Sequence, residues 1–110
     1  MANMSVRAQD IKSHLTKQFS FSPEQVEMML PSFISTLAGH MVNLENAVQS
    51  KNPIQLGRAA HTLKGALLNL GLSDCATIAL EIERNGKQDN AEFDYESHFN
   101  ELRERIGELV

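Results

Sequence analysis

The stretch that decides the fold is RAAHTLKGALLNLG, residues 58–71. Most of its apolar residues recur at intervals of three and four positions, which is the spacing of one face of an α-helix. Gly71 follows the last of them and predicts the end of this helix. The stretch also places Gly65 inside the helix, where glycine is about 1 kcal/mol less favourable than alanine. This unfavourable residue lies one helical turn after His61.

The same helical spacing extends over the rest of the chain, and no convincing alternating strand pattern interrupts it. Ser22, Pro23 and Gln25 together form the start signal of a helix with a capping box. Pro31 lacks a backbone donor and therefore predicts an end or a kink of that helix. The four main helices are predicted to begin near residues 32, 54, 73 and 91.

Small and polar residues predict the helix boundaries in the second half of the chain. Ser73 is predicted to cap the third main helix and Gly86 to end it, and Asp89 or Asn90 is predicted to cap the last one. Short connections favour antiparallel neighbours. We therefore predict an all-α fold, an antiparallel up-and-down four-helix bundle with one or two short N-terminal capping helices.

Length and composition limit the classes of function. With 110 residues and a net charge of −4, we expect one domain without an overall basic surface for nucleic acid. The first twenty residues contain no continuous apolar run, so we predict neither a signal peptide nor a membrane span. The single cysteine, Cys75, excludes an internal disulfide and suits the cytoplasm. Residues 1–21 are predicted to pack as a helical segment on a bundle formed by residues 22–110.

His61 is predicted to point away from the buried face of its helix. At 100° per residue, His61 lies about 140° and Gly65 about 180° from Leu56, which marks the apolar stripe. A side chain at position 65 would lie beside the imidazole, because residues four apart are helical neighbours. Lys64 supplies a flexible positive charge. Each residue alone has an ordinary explanation, as a solvated histidine, a close-packing glycine or a solvated lysine.

Three further residues of this helix complete the predicted surface. Gly57 lies one turn before His61 and is predicted to clear the other side of the ring. Arg58 adds positive charge, and Leu68 is predicted to be an exposed apolar contact for a docked partner, although a single exposed leucine needs no explanation. Together these residues favour a histidine that is accessible from outside. Both an anion of phosphoryl size and the surface of a partner could reach it.

HTLKGALLNLG resembles the signature of the histidine-containing phosphotransfer (HPt) family, and GRAAHTLKG and LEIERNG match the family pattern on either side. The resemblance covers about residues 22–110. It implies a helical bundle whose exposed histidine is phosphorylated on Nε2 by a receiver-domain aspartyl phosphate and passes the group to another receiver. The matching positions are His61, Lys64, Gly65, Ala66 and Gly71.

The resemblance also implies a role for Glu83, twenty-two positions after the histidine. An acid or amide at this position often accepts the hydrogen bond of the Nδ1–H group, which fixes the tautomer. Helical counting places Glu83 at the flank of its apolar stripe, within reach of His61, and a solvated surface acid is the alternative. Many members have serine and small residues after the Lys-Gly pair, where this chain has Ala66, Leu67 and Leu68, and Leu68 makes the surface beside the histidine more apolar.

The sequence contains no glycine-rich nucleotide loop and no paired acids in a metal motif, so we predict a stand-alone phosphocarrier rather than an enzyme, with no cofactor of its own and a divalent ion supplied by the receiver. The expected partners are response-regulator receiver domains and a hybrid or trans-acting histidine kinase. We expect no nucleic acid or membrane partner, and we expect the protein to be a monomer. Two alternative functions stay open. The protein could be a phosphoacceptor for a histidine kinase in trans, or an adaptor that binds a receiver without being phosphorylated. His14, His40 and His98 lack metal-ligand spacing, so no metal site is predicted.

Overall fold

The computed structural model describes residues 8–107 and 109 of the chain. These residues form helices without any strand, which confirms the all-α prediction. The first seven positions of the predicted N-terminal segment, residues 1–21, lie outside the described residues, and its boundary with the bundle stays a prediction. The helices are α1 (Ala8–Phe19), α2 (Pro23–Ser50), α3 (Pro53–Asn69), α4 (Ser73–Lys87) and α5 (Tyr95–Ile106).

The helices pack around one apolar core. α3 lies between α2 and α4, and α5 contacts both α4 and α2, so these four helices close a ring of contacts. α1 packs against α2, and the most extensive contact joins α3 to α4. Every helix contributes at least one side chain that is almost fully buried, and examples from α1 to α5 are Leu15, Leu37, Leu63, Ile82 and Leu102.

Helix α2 begins as predicted but does not stop at its proline. The Ser22 side chain accepts a hydrogen bond from the Gln25 backbone N–H at 3.2 Å, and the Gln25 side chain accepts one from the Ser22 N–H at 2.9 Å. Pro31 then lies inside a continuous helix, so the prediction of a separate helix from residue 32 is wrong. Leu30 and Leu37 are buried on either side of the proline, and this packing offsets the one lost backbone hydrogen bond.

Gly71 ends α3 as predicted. Its φ of +77° lies in the left-handed region that favours glycine. The N–H groups of Gly71 and Leu72 donate to the carbonyls of Leu68 and Leu67 at 3.1 and 2.9 Å, the two bonds of a Schellman motif. A Cβ at Gly71 would also collide with the imidazole of His14, which places α1 directly over this turn.

We expect Gly71→Ala to destabilise the fold by about 2 kcal/mol, because the left-handed backbone and the collision with His14 both oppose a methyl group. The measurement is the free energy of unfolding in urea. The double variant with His14→Ala is expected to recover the part that comes from the collision. An unchanged stability of Gly71→Ala would contradict both described causes, and a double variant no more stable than Gly71→Ala would contradict the contact with His14.

Helix α4 begins at residue 73 as predicted, but its predicted cap and its predicted end are each wrong by one residue. Leu72, not Ser73, occupies the N-cap position, and it makes no side-chain cap because leucine has no side-chain acceptor. Gly86 does not end α4, which continues to Lys87. A Cβ on Gly86 would lie 2.5 Å from the Gly57 nitrogen, so this glycine allows close helix contact rather than marking a stop.

Helix α5 begins later than predicted. Asp89 adopts a left-handed φ of 55°, and the Asn90 side chain accepts from the Glu92 N–H at 3.1 Å, so both residues belong to a turn. Asp94 is the actual cap, since its carboxylate accepts from the Ser97 N–H at 2.9 Å. Several adjacent Asx residues gave the sequence more than one suitable cap.

Candidate functional site

His61 and Glu83 face each other across the contact between α3 and α4. The His61 side chain is 61% exposed, whereas the Glu83 side chain is only 6% exposed. His61 Nδ1 lies 2.7 Å from Glu83 Oε2. The structure therefore brings these two predicted site residues together, with one edge of the imidazole held against the protein and much of the ring open.

Two ammonium groups also reach the Glu83 carboxylate. Lys87 Nζ donates a hydrogen bond to Oε2 at 2.7 Å, and Lys64 Nζ lies 2.8 Å from Oε1. The Lys64 contact is an ion pair without hydrogen-bond alignment, so Oε1 accepts no aligned hydrogen bond from residues 8–107 and 109. Sequence reasoning missed Lys87, although its spacing of four residues from Glu83 on one helix was an available signal.

The surroundings of Glu83 keep it ionised. Burial opposes the charge, but the contacts with Lys64, Lys87 and His61 outweigh burial and lower the Glu83 pKa from 4.5 to about 2. An ionised carboxylate is only an acceptor, so His61 Nδ1 must be the donor. In the neutral ring this tautomer leaves the lone pair on Nε2. Nε2 is therefore the nitrogen that can act as a nucleophile.

The glycines of α3 play two different roles. A Cβ at Gly65 would meet nothing within 4 Å, so the space one turn beyond His61 is open as predicted. Gly57 is buried, and a Cβ there would lie 3.1 Å from the Lys87 nitrogen and 3.2 Å from the Gly86 carbonyl carbon. The prediction that Gly57 clears the surface beside His61 is therefore wrong, because this glycine allows α4 to approach α3.

An apolar groove of about 610 Å³ adjoins the open side of His61. Thr62 and Gly65 of α3 belong to one side of it, and residues of α1, α2 and the segment between them, three phenylalanines and one methionine among them, belong to the other. Leu68 is 52% exposed one turn after Lys64, and Arg58 is exposed on the same helix. The lining residues outside α3 include Phe19, Phe21, Met29, Phe33 and His40.

The charge of Glu83 should make stability depend on pH. Its pKa is lower in the fold, at about 2, than its ordinary value of 4.5. The ionised carboxylate therefore stabilises the fold above about pH 4.5, and this contribution is lost as the pH falls towards 2. We expect Glu83→Gln to lower the free energy of unfolding by about 2 kcal/mol at pH 7. This value lies between the contributions of exposed and of buried ion pairs.

Thermal unfolding of both proteins between pH 7 and pH 2 checks this expectation, and the difference between them should shrink below about pH 4.5. Glu104→Gln is the matched control, because Glu104 is an exposed residue of α5, and we expect it to change stability by less than about 0.5 kcal/mol at every pH. A difference between wild type and Glu83→Gln that is the same at pH 2 and pH 7 would contradict the described ion contacts.

Residues 8–107 and 109 include no group of three or more histidine, cysteine, aspartate or glutamate side chains placed to hold a metal ion. Among the same residues, no helix is both long enough and apolar enough to cross a membrane.

Comparison with known protein families gives a match that covers most of the chain. The family model of the Hpt domain matches residues 28–110, a range that contains His61, Lys64, Gly65 and Glu83. No curated protein and no solved structure matches the chain. Domains of this family are phosphocarriers that transfer a phosphoryl group through a histidine in phosphorelays, where they interact with receiver domains and histidine kinases. With an exposed histidine in its helical fold and a match over most of its length, the chain belongs to the Hpt domain family.

Proposed function

We propose that this protein is a stand-alone phosphorelay carrier, which accepts a phosphoryl group on His61 from a receiver-domain aspartyl phosphate and passes it to another receiver. The observation behind the proposal is the contact of the exposed His61 ring with the buried, ionised Glu83. That contact orients a nucleophilic nitrogen towards solvent. The protein acts as a carrier and not as an enzyme.

The transfer needs only the groups that the two proteins supply. The Nε2 lone pair attacks phosphorus, the P–Nε2 bond forms, and the P–O bond to the aspartyl carboxylate breaks. The ring keeps its Nδ1 proton and becomes cationic, and the Glu83 carboxylate stabilises that charge. Lys64 provides positive charge for the transferring group, whose negative charge is spread over three oxygens. The divalent ion belongs to the receiver, and the carrier needs no cofactor of its own.

The surface around His61 supports a receiver domain as the docked partner. The open space at Gly65 joins the site to the apolar groove, and Leu68 extends the apolar surface along α3. Arg58 adds positive charge to the same helix. A histidine kinase that acts with a receiver, either hybrid or in trans, completes the proposed relay.

The remaining proposals concern the state of the protein. The closed ring of contacts and the short connections support an antiparallel, up-and-down arrangement of α2 to α5, with residues 1–21 packed on it. One phosphoacceptor face is consistent with a monomer. The free, buried Cys75 suits the reducing cytoplasm, which is the proposed compartment.

The test is incubation of the protein with a panel of phosphorylated receiver domains, followed by intact mass measurement and treatment with acid and base. We expect one added phosphoryl group that is labile in acid and stable in base. Phosphorylation by a histidine kinase and ATP, but by no receiver, would instead identify a kinase phosphoacceptor. Receiver binding without phosphorylation by either donor would identify an adaptor.

We expect Leu68→Gln to slow phosphoryl transfer from a receiver about tenfold at low receiver concentration, because it removes an apolar contact equivalent to about 1.4 kcal/mol. The matched control is Val42→Gln on α2, since Val42 is 54% exposed and Leu68 is 52% exposed. Initial transfer rates across a range of receiver concentrations provide the measurement. Equal rates for the two variants would exclude Leu68 from the docking surface.

A further inference from the structure

The three groups that contact Glu83 are not equivalent. His61 and Lys87 share Oε2, each at 2.7 Å. Lys64 alone contacts Oε1, at 2.8 Å and without hydrogen-bond alignment. The aligned Lys87 bond lies within α4, one turn after Glu83, whereas the Lys64 contact crosses from α3 to α4. Of the two ammonium groups, Lys64 is therefore the one that contacts the carboxylate without an aligned hydrogen bond and from the other helix.

Phosphorylation changes what each lysine can contact. Lys64 lies three residues after His61 on α3, so the two side chains are helical neighbours. A phosphoryl group on Nε2 offers Lys64 anionic oxygens that are absent from the free protein. If Lys64 turns to them, Glu83 loses one of its two ammonium contacts at the moment when the imidazole becomes cationic.

We propose that Lys87 is a positioning residue for phosphotransfer, which holds Glu83 Oε2 against His61 Nδ1 while Lys64 moves from Glu83 Oε1 to the phosphoryl group. This inference rests on the proposed function, because it requires His61 to be phosphorylated. In this proposal Lys64 exchanges Glu83 for the phosphoryl group, whereas Lys87 stays in contact with Glu83. Lys87 acts through Glu83 and needs no contact with the transferring group.

The test uses phosphoramidate, a small phosphoryl donor that needs no receiver domain. The Nε2 lone pair attacks phosphorus, the P–N bond of phosphoramidate breaks, and ammonia leaves. NMR of the lysine ammonium groups is recorded on the protein before and after this reaction. We expect the Lys64 signal to shift on phosphorylation and the Lys87 signal to keep its position.

Kinetic measurements with the same donor provide the second readout. We expect Lys87→Met to lower the phosphorylation rate about fivefold, equivalent to about 1 kcal/mol, with a smaller loss at high salt, which screens a partly exposed ion pair. Lys87→Arg is expected to restore most of the rate. Arg84→Met is the matched control, because it removes the same charge from an exposed residue of α4 and should leave the rate unchanged.

Two results would overturn the inference. One is an equal rate for Lys87→Met and Arg84→Met, and the other is a phosphorylated protein in which the Lys87 signal moves and the Lys64 signal does not. Failure of the proposed function would look different. In that case wild-type protein would accept the phosphoryl group from phosphoramidate but from no phosphorylated receiver.

Discussion

The His61→Gln variant is expected to accept no phosphoryl group while its unfolding temperature stays close to that of the wild type. Glutamine can still donate a hydrogen bond to Glu83, but its amide nitrogen has no lone pair suited to attack on phosphorus. The His61 side chain is 61% exposed, so little packing is lost. We expect a change in stability of less than about 1 kcal/mol.

Intact mass after incubation with phosphorylated receivers measures acceptance, and far-UV circular dichroism during heating measures stability. His98→Gln is the control, because His98 lies on α5 outside the described site and its replacement should leave acceptance intact. Phosphorylation that persists in His61→Gln would place the acceptor elsewhere. Collapse of the fold in this variant would make His61 a structural residue.

The Gly86→Ala variant is expected to lose about 3 kcal/mol of stability, the upper range for overpacking of a core. Its Cβ would lie 2.5 Å from both the Gly57 nitrogen and the Pro53 oxygen. Both are backbone atoms and cannot move aside as a side chain would, so α3 and α4 would have to separate. Glu83 lies one turn before Gly86, and we therefore expect slower phosphorylation of His61 as well.

Gly39→Ala is the matched control for this experiment. Gly39 also lies inside a helix, but a Cβ there would meet nothing within 4 Å. Alanine is the better helix former, so we expect this variant to gain about 0.5–1 kcal/mol. Urea unfolding of both variants provides the comparison. A Gly86→Ala protein that is as stable as the wild type would show that the two helices can separate at little cost.

Local signals predicted those parts of the fold that depend on a few neighbouring residues. The capping box at Ser22 and the left-handed stop at Gly71 are set by their own turns, and both are confirmed. Pro31 and Gly86 were misinterpreted because their local preferences are overridden by packing. In α2, buried side chains on both sides of the proline keep the helix continuous, and in α4 the glycine is needed for contact with α3.

The site residues also differ in whether neighbouring residues alone could predict their positions. Helical counting along one segment was enough to predict an exposed His61 with open space at Gly65, since both properties depend on the face of a single helix. The approach of Glu83 depends on how α4 lies against α3, and only the family resemblance indicated it. Lys87 was missed although its position four residues after Glu83 on the same helix was an available signal. Gly57 was assigned to the surface because the sequence alone does not show how closely α4 approaches α3.

The close approach of α3 and α4 at two glycines has an evolutionary consequence. An alanine at position 57 would lie at least 3.1 Å from its neighbours, whereas one at position 86 would lie 2.5 Å from backbone atoms. A small residue at position 57 therefore requires the α4 backbone to move by a few tenths of an ångström, and position 86 tolerates none while the helices keep this spacing. We expect epistasis between the two sites, in which a change at one restricts the residues that selection tolerates at the other.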